Sequence, residues 1–305
     1  MLREFRRQAF LMGSAFEFIV TATEARGEQL LDMCVQEVRR IEVLLTEFGD
    51  TSQTALLNRS AGVEPVQVDA ETYAILERCA TLSRLTQGAF DITAGVLKKL
   101  YNFKSGPFTW PESSRLKETL QKTGSQYIRL LDERRVLLEK PGMHIGFGAI
   151  GKGYAADRVK VLLQSEGVES AVIDASGDLT AWGLRSDGTP WKIGIADPGD
   201  PARILLWLPV DGFSVATSGN YEQFFERDGV RYSHNIDPKT GLPVHGVKSV
   251  TVISPSAELC DALATAVFVM GPDAGLHLIG QLPDTHCLVI DAQNRMHWSK
   301  NMKIN

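Results

Sequence analysis

Cysteine is scarce in this chain: four in 305 residues, at Cys34, Cys79, Cys260 and Cys287, with no Cys-x-x-Cys spacing among them. That excludes a zinc-ribbon site and a compact disulfide framework, and buried free thiols are the expected state. Basic charge is also short. The formal charge is −5 and no run of Lys or Arg exceeds three residues, so nucleic acid, which selects a positive field, is not an expected partner. No stretch reaches the roughly 20 apolar residues needed to cross a bilayer, so no membrane segment is expected. The basic start Met1-Leu-Arg-Glu-Phe-Arg-Arg has too few apolar residues behind it for a secretory leader, and no cysteine follows it to carry a lipid. The expected location is cytoplasmic for the chain as written, and periplasmic if a leader has been removed. Internal repeats and low-complexity segments are lacking too.

What remains is ordinary globular material, 44% hydrophobic and 23% charged, in a chain long enough for one large domain or two. Residues 14–22 alternate aromatic and β-branched residues and predict a buried strand. Leu30, Leu31, Cys34, Val38, Ile41 and Leu45 recur at steps of three and four. They predict a long amphipathic helix over 26–47, with Gln36, Arg40 and Glu47 on its wet side. A polar loop over 48–64 and a helix over 69–86 follow, then a Pro/Gly/Ser-rich surface excursion over 102–115. Two strands are expected around the turn Asp132–Arg135, then a glycine loop, a helix to about Glu166 and a strand at 170–174. Further strands are expected at 181–210, 213–217, 247–254 and 286–291, with helices at 261–270 and 273–280. Strands outnumber simple βα alternation, so the expected class is α+β with mixed sheets and packed helices.

Several clusters carry possible chemistry. Gly146-Phe-Gly-Ala-Ile-Gly-Lys-Gly153 places four glycines directly before a helix. Such a loop suits close approach to a phosphate, and serves equally as a tight strand-to-helix turn. Only Asp174 is placed to complete a dinucleotide fingerprint, and in Asp174-Ala-Ser-Gly-Asp178 the second carboxylate reads better as a turn residue. Thr217-Ser-Gly-Asn220 offers two hydroxyls, for a ligand or for a turn. In Tyr232-Ser-His-Asn-Ile-Asp237, His234 is a candidate general base, with Asp237 three residues on to orient its ring. Asp261 and Thr265, four apart in an apolar helical run, put a carboxylate and a hydroxyl on one face. They suit a hard cation such as Mg2+, or a helix cap with a back-bonded threonine.

Taken in order, Met12-Gly-Ser14, Gln87-Gly-Ala-Phe-Asp91, Gly148-Ala-Ile-Gly-Lys-Gly-Tyr-Ala-Ala-Asp157, Asp174-Ala-Ser-Gly-Asp178, Ala216-Thr-Ser-Gly219, Ser233-His-Asn-Ile-Asp-Pro-Lys-Thr-Gly241 and Asp261-Ala-Leu-Ala-Thr265 resemble the FAD:protein FMN transferases of the ApbE family. The resemblance runs from about residue 10 to about residue 290. It implies an ApbE-like (T-fold-like) architecture, as one unit over 1–305 or as two packed subdomains with the FAD site between them. It also implies FAD as substrate, Mg2+ as cofactor, and an acceptor protein whose Thr or Ser hydroxyl receives FMN while AMP leaves. The implied metal ligands are Asp261, Thr265 and backbone oxygens at Ala149 and Ala264. The implied FAD contacts are Met12, Phe48, Ala89, Phe90, Asp91, Lys152, Asn235 and position 146. Catalysis falls to His234, with Asp237 as the other candidate base. Gly146 departs from the family, which usually has an acid there, so that contact is missing or supplied elsewhere. Phe48 replaces a common tyrosine, Ile92 a proline and Ser176 a glycine. Two alternatives stay open: an FAD pyrophosphatase releasing FMN and AMP, and a protein that holds FAD without turning it over.

Overall fold

The computed structural model describes residues 2–103, 109–221 and 223–300. The expected surface excursion therefore lies partly outside the described residues, at 104–108. In chain order, the hairpin β1 (Leu2–Leu11) and β2 (Ser14–Thr23) leads into helix α1 (Gly27–Leu45). A smaller layer follows: α2 (Gln53–Arg59), β3 (Val66–Gln67), α3 (Ala70–Leu85), α4 (Gly95–Lys98), α5 (Ser113–Leu120), β4 (Ile128–Leu131) and β5 (Arg135–Leu138). Next come α6 (Gly151–Ser165), β6 (Ala171–Ala175), β7 (Asp178–Trp182), β8 (Trp191–Asp197), β9 (Asp200–Val210) and β10 (Ser214–Gly219). The chain continues through β11 (Phe224–Arg227), β12 (Val230–Ser233), β13 (Val247–Ser254), α7 (Ala257–Ile279), β14 (His286–Asp291) and β15 (Met296–Trp298).

Eight strands form one sheet in the order β1-β2-β6-β7-β10-β13-β14-β15, with antiparallel pairing at each step. Strand alternation divides its side chains between two faces. Phe16, Phe18 and Val20 of β2 and Ile173 of β6 point into the core that also holds Leu30, Val38 and Ile41 of α1. Ile19 and Val172 point the other way, onto Trp191 and Val210 of the separate β8–β9 hairpin. So helices cover one face and a hairpin the other. The main core extends without a break through Leu57, Ile75, Leu76, Val136 and Leu138, and so includes the smaller layer with its three-stranded sheet β3-β5-β4. The four cysteines are buried and unbridged, as expected. Burial pushes the Cys34 and Cys260 thiols up to about 12.

Towards its two ends the chain refines the sequence reading, and one expectation there needs correction. The basic N-terminal segment is a full strand: β1 edges the large sheet, where its arginines reach outward to Glu24 (Arg3, 2.5 Å) and Glu28 (Arg7, 2.7 Å). A charged edge strand lacks the apolar alternation that reveals a buried one. The two helices expected at 261–270 and 273–280 are both present, running in succession within α7 and separated by the non-helical Gly271 (φ 78°) and Pro272. Finally, α7 is long and apolar enough, by length and composition, to cross a membrane. Its apolarity has another outlet here. Leu263, Val267 and Phe268 fill a second core against Val250 and Val252 of β13 and Cys287 and Val289 of β14.

The crossing of α6 and α7 fixes the geometry of the centre. Asp157 of α6 accepts hydrogen bonds from Ser256 Oγ (2.7 Å) and from the backbone N–H groups of Ala257 (2.9 Å) and Glu258 (3.0 Å). These N–H groups open α7 and would otherwise lack partners. One turn earlier on α6, Gly153 lies so close to α7 that an added Cβ would stand 2.2 Å from the Ala257 carbonyl oxygen. Gly153→Ala must therefore push the helices apart, with an expected loss of about 1–3 kcal/mol in urea unfolding. Gly148→Ala, whose Cβ would meet nothing within 4 Å, serves as the control and should unfold like the wild type.

Candidate active site

Above this crossing lies a cleft lined by residues from widely separated parts of the chain. The loop 89–95 and Lys98 of α4 form one wall, and Gly146, Gly148, Ala149 and Lys152 form the floor. Asp178 opens β7, Thr217 to Gly219 end β10, and His234, Asn235, Ile236 and Pro238 follow β12. Asp261 and Thr265 of α7, with Glu47 beyond α1, complete the lining.

Asp261 is not a helix cap. Ser256 holds that position, its hydroxyl accepting from Leu259 N–H (3.2 Å). Asp261 lies a turn further in and is only 6% exposed. Its Oδ2 accepts the N–H of Gly153 (3.2 Å). Gly153 is the third residue of α6, and an N–H at that position has no partner within the helix. The carbonyl of Ala149, just ahead of the helix, accepts no hydrogen bond among the described residues. The Thr265 hydroxyl faces Ser218 Oγ at 3.5 Å, and among the described residues it does not bond back to its own helix. A carboxylate, a hydroxyl and an unsatisfied carbonyl thus share one corner of the cleft. All three are oxygen donors, which fits a hard cation. No group of three or more His, Cys, Asp or Glu side chains suited to a metal exists among the described residues. A cation here would complete its shell with phosphate oxygens and water, as Mg2+ does. Ala264 is 1% exposed in the second core and does not line the cleft, so it is not brought to this corner.

His234 is half-buried, and its Nδ1 donates to the Gln223 carbonyl (3.2 Å), because a carbonyl can only accept. This fixes the tautomer and makes Nε2 the basic nitrogen. Burial, aided by the charge of Lys98, pulls its pKa down to about 4, against the pull of the Gln223 bond. The histidine is therefore a neutral base at physiological pH.

Asp237 does not orient it. The Asp237 carboxylate is taken by its own turn, accepting from Lys239 N–H (2.9 Å) and Thr240 Oγ1 (3.0 Å), and it does not line the cleft. A three-residue spacing in sequence said nothing of that turn, whose Pro238-Lys-Thr-Gly241 corner turns the carboxylate inward on itself.

A family model described as the ApbE family matches residues 12–289. This chain belongs to the ApbE family. Among curated relatives, an FAD:protein FMN transferase of Treponema pallidum (strain Nichols) is 34% identical, covering 98% of this chain and 87% of the relative. The ApbE protein of Thermotoga maritima, known from a crystal structure, superposes with a TM-score of 0.88 at 31% identity, over 98% of this chain and 97% of that one. The flavin transferase ApbE of Vibrio cholerae gives a TM-score of 0.88 at 27% identity, over 98% of both chains. The ApbE-like α+β architecture is therefore that of solved family members.

Ten of the fourteen site residues expected from sequence in this ApbE chain line the cleft: Ala89, Phe90, Asp91, Gly146, Ala149, Lys152, His234, Asn235, Asp261 and Thr265. Met12, Phe48, Asp237 and Ala264 do not. Met12 occupies the β1–β2 turn in a left-handed conformation (φ 50°), with its Cε against Gly151 at the start of α6. Phe48 is 77% exposed on the loop after α1. Asp91 lines the wall, yet its oxygens already accept from Thr93 N–H (2.8 Å), Thr93 Oγ1 (2.6 Å), Ser125 N–H (2.8 Å) and Ser125 Oγ (2.8 Å). It braces the loop that shapes the cleft. Asp174 is absent from the cleft. It lines a separate cavity of about 770 Å³ against the β8–β9 hairpin and caps Gly177 N–H (2.8 Å), so the dinucleotide-fingerprint reading of the glycine loop fails.

Three further charged residues line the cleft: Glu47, Lys98 and Asp178. Asp178 read as a turn residue. It is instead 4% exposed in the cleft and forms an ion pair with Lys152. Glu47 read as the wet side of a helix, but α1 stops at Leu45 and the side chain turns toward Gly146. Removing one partner of a buried ion pair strands the other charge. Lys152→Met should accordingly lower unfolding stability by about 3 kcal/mol in urea titration. Adding Asp178→Leu to that variant should recover most of the loss.

Proposed function

We propose that this chain is a magnesium-dependent flavin transferase that moves FMN from FAD to a Thr or Ser hydroxyl of an acceptor protein, releasing AMP. Membership of the ApbE family and the names of its relatives support FAD-to-protein transfer. The observation that carries the finer reading is the set of oxygens lining the cleft at the start of α6: the Asp261 carboxylate, the Thr265 hydroxyl and the Ala149 carbonyl, which accepts no hydrogen bond among the described residues.

On this reading Asp261, Thr265 and the carbonyl of Ala149 would hold Mg2+, which would neutralise pyrophosphate charge and ease departure of AMP. The chain's own groups do the rest. Lys152 offers an ammonium group to phosphate oxygens from the first turn of α6, its position set by Asp178. The acceptor hydroxyl oxygen bonds to the phosphorus of the FMN half, and the bond from that phosphorus to the bridging oxygen breaks. The bridging oxygen leaves with AMP. His234 Nε2 takes the hydroxyl proton, a role that needs the neutral ring. In-line phosphoryl chemistry of this kind relies on placement and charge more than on a strong nucleophile.

Incubation with FAD, Mg2+ and a Thr-bearing acceptor peptide, read by mass spectrometry, tests this directly. Covalent FMN on the peptide with AMP released is the expected result, and it should vanish in Asp261→Ala. Free FMN with AMP would instead mark a pyrophosphatase, and intact FAD a binding protein. His234→Ala should abolish transfer while FAD still binds. A rate unchanged in that variant would remove His234 from the mechanism.

The pH profile follows from the same ring. His234 loses its proton at about 4 in the folded chain, against an ordinary 6.5. The acidic limb of the transfer rate should therefore fall near pH 4 instead of near 6.5. The unfolded chain binds the proton first, so burial of this ring leaves stability untouched above 6.5 and erodes it as pH falls from 6.5 to about 4.

A further inference from the structure

We propose that Glu47 recognises a hydrogen-bond donor of the bound dinucleotide, entering the cleft through the space that the absent side chain of Gly146 leaves. The inference rests on the flavin-nucleotide reading of the cleft, and its evidence is geometric. After α1 ends, Ser52 Oγ donates to the Thr46 carbonyl (2.5 Å) and Phe48 N–H donates to Thr46 Oγ1 (3.1 Å). These bonds turn the chain so that Phe48 points to solvent and Glu47 to the cleft. A Cβ built on Gly146 would lie 3.2 Å from Glu47 Oε1 and 3.3 Å from its Cδ. A side chain at 146 and this carboxylate therefore compete for one place.

The carboxylate is held at one end only. Oε2 is bonded by His144 Nε2, and the backbone of this segment is pinned by Asn58, which bonds both the N–H (2.7 Å) and the carbonyl (3.0 Å) of Ile145. Oε1 has no hydrogen-bond partner among the described residues, although it borders the cleft. The His144 bond, and more weakly the charges of Lys99 and Lys98, hold the Glu47 pKa below the usual carboxylate range. The outer oxygen is thus an ionised acceptor, fixed in direction and without a donor. It repels phosphate and attracts N–H or O–H, so it belongs at a neutral end of the dinucleotide. The flavin half offers an imide N–H and ribityl hydroxyls, and the adenosine half an exocyclic amine and ribose hydroxyls. Both present the same chemistry to Oε1.

Titration calorimetry of the full-length protein with FAD, with riboflavin and with AMP tests the assignment and identifies the half. A charged hydrogen bond lost to a neutral amide should weaken FAD binding by about tenfold or more in Glu47→Gln. The fragment whose affinity falls in parallel carries the donor. Glu47→Ala should weaken FAD similarly, and adding Gly146→Asp to it should restore binding, since the new carboxylate grows into the vacated place. Thermal unfolding shows that each variant is folded. Wild-type binding of FAD with an unchanged affinity in Glu47→Gln would overturn the role of Glu47 and leave the flavin reading intact. Failure of folded Glu47→Ala/Gly146→Asp to recover would overturn the shared-place argument. Absence of FAD binding by the wild type would bring down the flavin reading itself.

Discussion

The close crossing of α6 and α7 is the constraint on which the centre depends. Only a glycine at 153 lets the two backbones meet, and Asp157 then ties the first turn of α7 to the side of α6. The same approach delivers the Gly153 N–H, which has no partner within α6, to Asp261. One contact thus both packs the helices and fixes the Asp261 carboxylate at the cleft. Stability and chemistry are set by the same few atoms, so neither can be tuned alone.

Much of this was legible in the residues, for identifiable reasons. The period of α1, the cap Asp69 before α3 (accepting from Thr72 N–H, 2.6 Å) and the alternation of β2 are local signals that tertiary structure left standing. The Asp261–Thr265 pair was visible because helical geometry turns a spacing of four into a shared face. His234 was visible by composition, as a polar ring in a dense polar turn.

The remaining features have no local signature. Asp178 looks like any turn carboxylate until a lysine from another helix is brought to it. Glu47 continues the polar stripe of α1 in sequence, and only the early end of that helix redirects it. Asp237 failed in the opposite sense, since spacing suggested a partner for His234 while the nearest donors lay within its own turn. Edge strand β1 and the hairpin β11–β12 were overlooked because exposure lets charged residues fill strand positions.

The lining of the cleft also has a consequence for the order of arrival. Four carboxylates, at Glu47, Asp91, Asp178 and Asp261, face two ammonium groups, at Lys98 and Lys152, while His234 contributes no charge at neutral pH. The empty cleft is formally anionic, and a bare pyrophosphate meets an opposing field there. A divalent cation reverses the sign of that encounter. On the proposed flavin-transfer reading, the species that would enter most readily is the nucleotide already carrying its metal, and the rate of capture would follow how much of the nucleotide pool is so complexed.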